Sequence, residues 1–487
     1  MLSLLIWTPI FGGLATLLLA RDESGLAAAK FLALLTALLT FCISVLALLL
    51  FNPNLAGMQL TVDIPWITAL GIDYALGVDG IALALIVLNC AVTALTVLAG
   101  WNVKRQPGSY LAAFLLMCGF VNGVFSATDA ALFYVFWEAT LIPLFLVIGV
   151  WGGERRVYAA IKFFLYTFCG SILMLVAFIW LYDYLGSFDI LLMHRSYIPA
   201  EAQPWIFFAF LAAFAVKIPM VPVHTWLPDA HVEAPTGGSI ILAAIMLKLG
   251  GYGLLRLSLP IVPDASVEYA WLLVALSLVA IIYIGLVALA QTDMKKLVAY
   301  SSVAHMGFVT LGTFIFSELG LTGAVYQMIS HGFISGAMFF CIGVLYDRMH
   351  TRNIGDYGGV ANTMPRYATL LLLFAMANAG LPGTSGFVGE FMVVLAAVKA
   401  NLWWGILAAT ALITGAAYSL WMYKRAIFGA VANDRVRALK DVDGRELTVL
   451  AAFAALVLLF GVWPLPITNL IDVSVAEIAA QVARGKL

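Results

Sequence analysis

The chain has 487 residues, of which 63% are hydrophobic and only 10% charged, with a net charge of −1 and a mean hydropathy of +1.03. A soluble domain of this length carries about 25% charged residues, so a water-exposed globular protein is excluded. The balanced charge gives no basic field for nucleic acid.

Continuous apolar runs such as FLALLTALLTFCISVLALLLF (31–51) are long enough to cross a bilayer as helix. They do not alternate with polar residues, which excludes a membrane β-barrel. Such runs predict spans 1 to 14 near 2–20, 27–51, 78–101, 109–127, 129–151, 157–184, 205–223, 237–258, 268–290, 296–316, 320–346, 367–398, 402–428 and 446–466. The expected fold class is therefore an all-α polytopic membrane protein with about 14 transmembrane helices. No basic segment precedes Leu2-Ser3-Leu4, so span 1 is expected to be retained rather than cleaved.

Loops after odd-numbered spans hold Arg21, Lys30, Lys104, Arg105, Arg155, Arg156, Lys295, Lys296, Arg348, Arg352, Arg366 and the cluster from Lys424 to Arg445. The opposite side holds only Arg195, Arg256, Lys399, Arg484 and Lys486. The positive-inside rule then makes the first side cytoplasmic and places both termini outside.

Charged side chains inside the spans are functional candidates, because each costs roughly 2.5–3.5 kcal/mol at mid-bilayer on insertion scales. Glu138 lies in FYVFWEATLIPLF of span 5, and Lys217 in AFAVKIPMVPVHTWLP of span 7. Pro219 and Pro222 follow Lys217 and break the helix, which membrane depth tolerates only inside protein or beside a water-filled cavity. Lys248 sits midway along span 8, too deep to reach an interface, whereas Lys162 lies near the basic end of span 6 and can snorkel. Span 12 is interrupted at GLPGTSGFVGEF, just before Glu390.

The interrupted spans are each the fourth in a block of five, spans 4–8 and 9–13. This layout predicts two inverted five-helix repeats with the transport site at the breaks. The resulting division is 1–104 for spans 1–3, 105–260 for the first repeat, 261–430 for the second, and 431–487 for span 14.

His305 and His331 lie at mid-span beside serines and titrate near neutrality, which suits proton relay; a serine-bonded structural histidine is the alternative. Gly332 and Gly336, four apart, suit close helix packing. His224, Asp229, His231 and Glu233 crowd a loop on the cytoplasmic side, but lack a metal-site spacing such as HExxH, and a role in loop structure is expected. Cys42, Cys90, Cys118, Cys169 and Cys341 are scattered singly, with no spacing for zinc or an iron–sulfur cluster. No nucleotide-binding or hydrolytic motif is present.

The segments VKIPMVPVHTWLPDAHVEAPTGGSIILAAIMLKLGGYGLLR, AQTDMKKLVAYSSVAHMGF and GLPGTSGFVGEF resemble the proton-translocating antiporter-like subunits of NADH:quinone oxidoreductase, respiratory complex I. The resemblance runs from about Gly77 to Phe428. Glu390, where related subunits usually carry lysine, and an end soon after span 14 without a long lateral helix resemble the M branch, called chain 4 in mitochondria.

This resemblance implies that Glu138 and Lys217 form an ion pair, that Lys248 is a central relay, and that Glu390 leads to the periplasmic exit. His305 and His331 would line the hydrated axis. It also implies no cofactor in this chain, with FMN, iron–sulfur clusters and quinone in other subunits. The implied partners are the membrane-arm neighbours L and N, in a bacterial inner membrane. A subunit of a multisubunit Na⁺/H⁺ antiporter or a membrane-bound hydrogenase shares these motifs, and a structural scaffold with vestigial charges is a third reading.

Overall fold

The computed structural model describes residues 1–486, and thirteen helices among them are long and apolar enough to cross a membrane. Twelve correspond to predicted spans 1–6, 8–11, 13 and 14. Spans 7 and 12 fall out of that set because each is split. Span 7 is helical over Gln203–Lys217, stops at the Pro219/Pro222 segment, and resumes as Trp226–Glu233. Span 12 divides into Pro365–Asn378 and Ser385–Ala400. Gly380 and Gly383 at that break have φ of +77° and +90°, a backbone conformation that side chains disfavour.

Two departures have clear physical causes. Span 5 is kinked, with helices Ala130–Ala139 and Leu141–Trp151 meeting at Thr140. Pro143 lacks the N–H that would bond the Ala139 carbonyl four residues back, so the ladder is interrupted beside Glu138. The second departure is a helix over Leu465–Arg484, which is absent from the predicted spans. It is amphipathic, burying Ile467, Ile471, Val475, Ile478 and Val482 while Asp472 and Arg484 face outward. The described residues thus carry one more helix after span 14.

The stretch between spans 2 and 3 forms an antiparallel hairpin, strand β1 (Gln59–Ile67) with β2 (Ile72–Val78), bearing Ile64, Trp66 and Leu70 exposed.

The chain divides into two compact units. The first comprises Met1–Pro219, Ile245–Leu272 and Asn469 onward. Its N-terminal helices are joined by a buried amide network: Asn89 Nδ2 donates to Asn122 Oδ1 at 2.8 Å, and Asn122 Nδ2 to the Leu5 carbonyl at 2.8 Å. Two such bonds hold helices that a uniformly apolar lipid would not drive together.

The second unit comprises Met220–Ala244 and Leu273–Thr468. Its core is the Glu318–Met349 helix, packed against Met294–Phe314, Ser385–Ala400 and Gly444–Val462. Gly336 on that helix lies against the Phe453 ring, where a Cβ would come to 3.3 Å.

Candidate functional site

In the first unit, Lys217 is the last residue of its half-helix and is 1% exposed. Its Nζ lies 5.3 Å from the Trp137 ring centroid and 5.8 Å from that of Phe163, and has no hydrogen-bond partner. Glu138 follows Trp137 at the kink in span 5 and is half-buried. Its polar neighbours are Ser171, Lys217 and Tyr134, yet Glu138 Oε1 also has no hydrogen-bond partner. The two charges thus face each other beyond hydrogen-bonding distance, with aromatic faces around the ammonium. A cation over such rings gains about 0.5–2 kcal/mol, less than a contact ion pair offers in the same dry surroundings.

Lys248 is fully buried on the helical stretch Thr236–Ile261, between widened π turns at Leu242–Met246 and Leu254–Ser258. Gly250 and Gly253 allow this stretch to approach the half-helix that ends in Lys217. A Cβ on Gly250 would fall 2.7 Å from the Phe214 carbonyl oxygen and from Ile218 Cγ1; one on Gly253 would fall 2.3 Å from the Phe214 ring. The glycines following Lys248 therefore set the spacing between the two lysine-bearing segments.

At the start of the half-helix that leads to Glu138, Asp129 caps Leu132 N–H at 2.8 Å and accepts from Asp73 N–H at 3.2 Å. Burial pushes its carboxyl up to about 6, against the pull of these backbone donors. Lys162 is half-exposed, its Nζ 5.8 Å and 6.0 Å from the rings of Tyr158 and Tyr166.

In the second unit the arrangement is tight. His305 Nδ1 and Glu390 Oε1 are 2.5 Å apart, and both residues are buried. Gln327 Nε2 donates to the same carboxylate oxygen at 3.0 Å, and the Tyr418 hydroxyl lies 3.1 Å from His305 Nε2. The His331 ring stands 5.9 Å from that of His305. With Nδ1–H donating to Glu390, a neutral His305 accepts from Tyr418 at Nε2, and an imidazolium donates there instead. A proton can therefore enter or leave the ring at either nitrogen.

The nearby serines do not carry this pairing. Ser301 and Ser302 donate to the Val298 carbonyl of their own helix, and Ser330 donates to Ser385 Oγ at 3.0 Å. Sequence reasoning missed Gln327 and Tyr418. The signals were an amide four residues before His331 in an apolar span, for Gln327, and a hydroxyl next to Ser419, for Tyr418.

The set His224, Asp229, His231 and Glu233 is not on an open loop. The last three lie on the short helix Trp226–Glu233, where His231 is buried and stacks on Phe339 at 4.2 Å. Among the described residues no group of three or more His, Cys, Asp and Glu is arranged to hold a metal ion. Arg256, counted above among the outer loop cations, is instead 7% exposed and paired with Asp79 at 2.5 Å, because the helical stretch runs on to Ile261.

Residues 127–414, which include all six candidate side chains, match the family described as NADH:quinone oxidoreductase/Mrp antiporter, TM. The chain belongs to this family. Within it, NADH-quinone oxidoreductase subunit M of Rhodobacter capsulatus is 48% identical, over 98% of this chain and 96% of that protein. NADH-ubiquinone oxidoreductase chain 4 of Marchantia polymorpha is 42% identical, over 95% of this chain and 94% of its own length. A chain in the structure of respiratory complex I from Thermus thermophilus with bound NADH superposes with a TM-score of 0.90 at 32% identity, covering 99% of this chain and 100% of that one. A chain of the Mrp complex from Dietzia shares the fold at 22% identity, with a TM-score of 0.84 over 100% of this chain and 52% of that one. Family membership of this kind accords with the M branch that Glu390 and the quoted motifs resemble.

Proposed function

We propose that this chain is a membrane-arm subunit of a bacterial NADH:quinone oxidoreductase and carries protons across the membrane. The energy comes from redox chemistry in other subunits, which would hold the flavin, the iron–sulfur clusters and the quinone. Antiporter-like membrane subunits are its neighbours, and the positive-inside pattern supports a periplasmic N-terminus.

The observation that carries this reading is the pairing of two different charge clusters on broken helices. Glu138 stands off from Lys217 in one unit, and Glu390 is bonded to His305 in the other. Bringing a carboxylate toward an ammonium favours its protonated form, and withdrawing it favours proton release. A small displacement at the kink beside Glu138 would load or unload Lys217, with Lys248 as the next acceptor. Each charge moved across the membrane works against about 2.3 kcal/mol per 100 mV.

Lys217→Met in the intact purified complex tests the scheme. Pumping in proteoliposomes is expected to fall by about 10²-fold, the usual contribution of a positioned proton-transfer group. Unchanged pumping would remove Lys217 from the path. The family also includes Mrp antiporters, so co-purification with NADH-oxidising subunits, rather than with a sodium-transporting assembly, separates the two settings.

A further inference from the structure

The stretch that holds Lys248 carries two more polar residues at steps of four, Tyr252 and Arg256. At 1.5 Å per residue Arg256 lies about 12 Å beyond Lys248 along one face. All three are buried. The bonding beyond Lys248 has a fixed direction. Arg256 Nε donates to the Tyr252 hydroxyl at 3.2 Å, and that hydroxyl donates to the Phe125 carbonyl at 2.9 Å. Arg256 Nη2 meets Asp79 Oδ2 at 2.5 Å, while Asp79 Oδ1 accepts from Ala82 N–H at 2.8 Å.

The surrounding chain closes over this pair. His194 Nε2–H donates to the Arg256 carbonyl at 2.8 Å; burial and the neighbouring guanidinium hold its imidazole down to about 3, so it stays neutral. Ser474 of the C-terminal helix accepts from Gly80 N–H at 3.0 Å. That helix comes so close that a Cβ on Gly80 would lie 1.9 Å from the Leu470 carbonyl oxygen.

We infer that the Arg256–Asp79 pair, with Tyr252, is an electrostatic seal that denies protons an exit from Lys248 at this end of the first unit. Three features make it a barrier rather than a relay. A guanidinium does not give up its proton. The Tyr252 proton is committed to a backbone carbonyl, which ends the chain of donors. A guanidinium also has no lone pair with which to accept a proton, and Arg256 stands between Tyr252 and Asp79. The seal rests on the proposed proton-carrying role of Lys248.

The test uses the intact complex in proteoliposomes carrying the double variant Arg256→Gln, Asp79→Asn, which keeps amide hydrogen bonding and removes both charges. Passive proton leak is measured without NADH under an imposed pH gradient, and protons moved per NADH during turnover. A several-fold rise in leak with a lower proton ratio is expected, and adding Lys248→Met should abolish the rise. Wild-type leak and ratio, or a leak that persists with Lys248→Met, would overturn the seal. If the double variant does not assemble, Arg256→His provides the same test. It should be tight at pH 6 and leaky at pH 8, and a wild-type leak at both would overturn the proposal. Normal pumping by Lys248→Met alone would sink the relay role itself, a result independent of the leak measurement.

Discussion

The two units hold their charges in opposite ways. Glu138 and Lys217 are neighbours without a bond, with rings of Trp137 and Phe163 beside the ammonium. Glu390 and His305 are locked at 2.5 Å, with Gln327 and Tyr418 completing their hydrogen bonds. A loose pair can change its separation at little cost and so can be driven. A satisfied pair holds its geometry and passes protons through fixed contacts. Under the proposed function, the contrast would give switching to the first unit and relay to the second.

The comparison breaks most sharply on stability. Removing one partner of a buried, bonded pair strands the other, at a cost of about 3–5 kcal/mol. His305→Leu is therefore expected to lower the thermal unfolding midpoint of the purified complex clearly. Glu138→Gln keeps the side chain's size and breaks no contact ion pair, and should cost only about 1 kcal/mol. Equal destabilisation by the two would erase the distinction.

A smaller effect is expected at Gly250. An added methyl overlaps the Phe214 carbonyl oxygen and Ile218, and overpacking of this kind costs about 1–3 kcal/mol. Gly250→Ala should lower both stability and pumping by pushing the Lys248 segment off the Lys217 half-helix. A wild-type pumping rate would show that this spacing does not matter. A similarly small effect is expected at Tyr418→Phe, where the loss of one buried hydrogen bond costs about 1 kcal/mol. Its pumping should slow while complex assembly stays intact; no change in rate would confine relay to Glu390 and His305.

Much of this was legible before any coordinates. Hydropathy located the membrane helices, and Pro219, Pro222, Gly380 and Gly383 marked both broken ones, because these residues act on the local backbone. Six titratable groups within the spans stood out since charge is rare in apolar runs. The Leu465–Arg484 helix was hidden because one of its faces is polar and exposed, at Asp472 and Arg484. The kink at Thr140 was readable in principle from Pro143, which frees the Ala139 carbonyl four residues back. Partner choice was beyond the sequence. Nothing in spacing says that His305 meets Glu390, 85 residues away, or that Arg256 leaves the loop set for Asp79. Those pairings depend on how helices distant in the chain come together.

The most direct test of the switching claim is Glu138→Gln in the intact complex, reconstituted in proteoliposomes, with proton pumping and NADH:quinone turnover measured side by side. The account predicts normal assembly with pumping and turnover falling together, since Lys217 loses the charge that loads it. Wild-type pumping and turnover would contradict it, leaving Glu138 a structural carboxylate and the first unit without its switch.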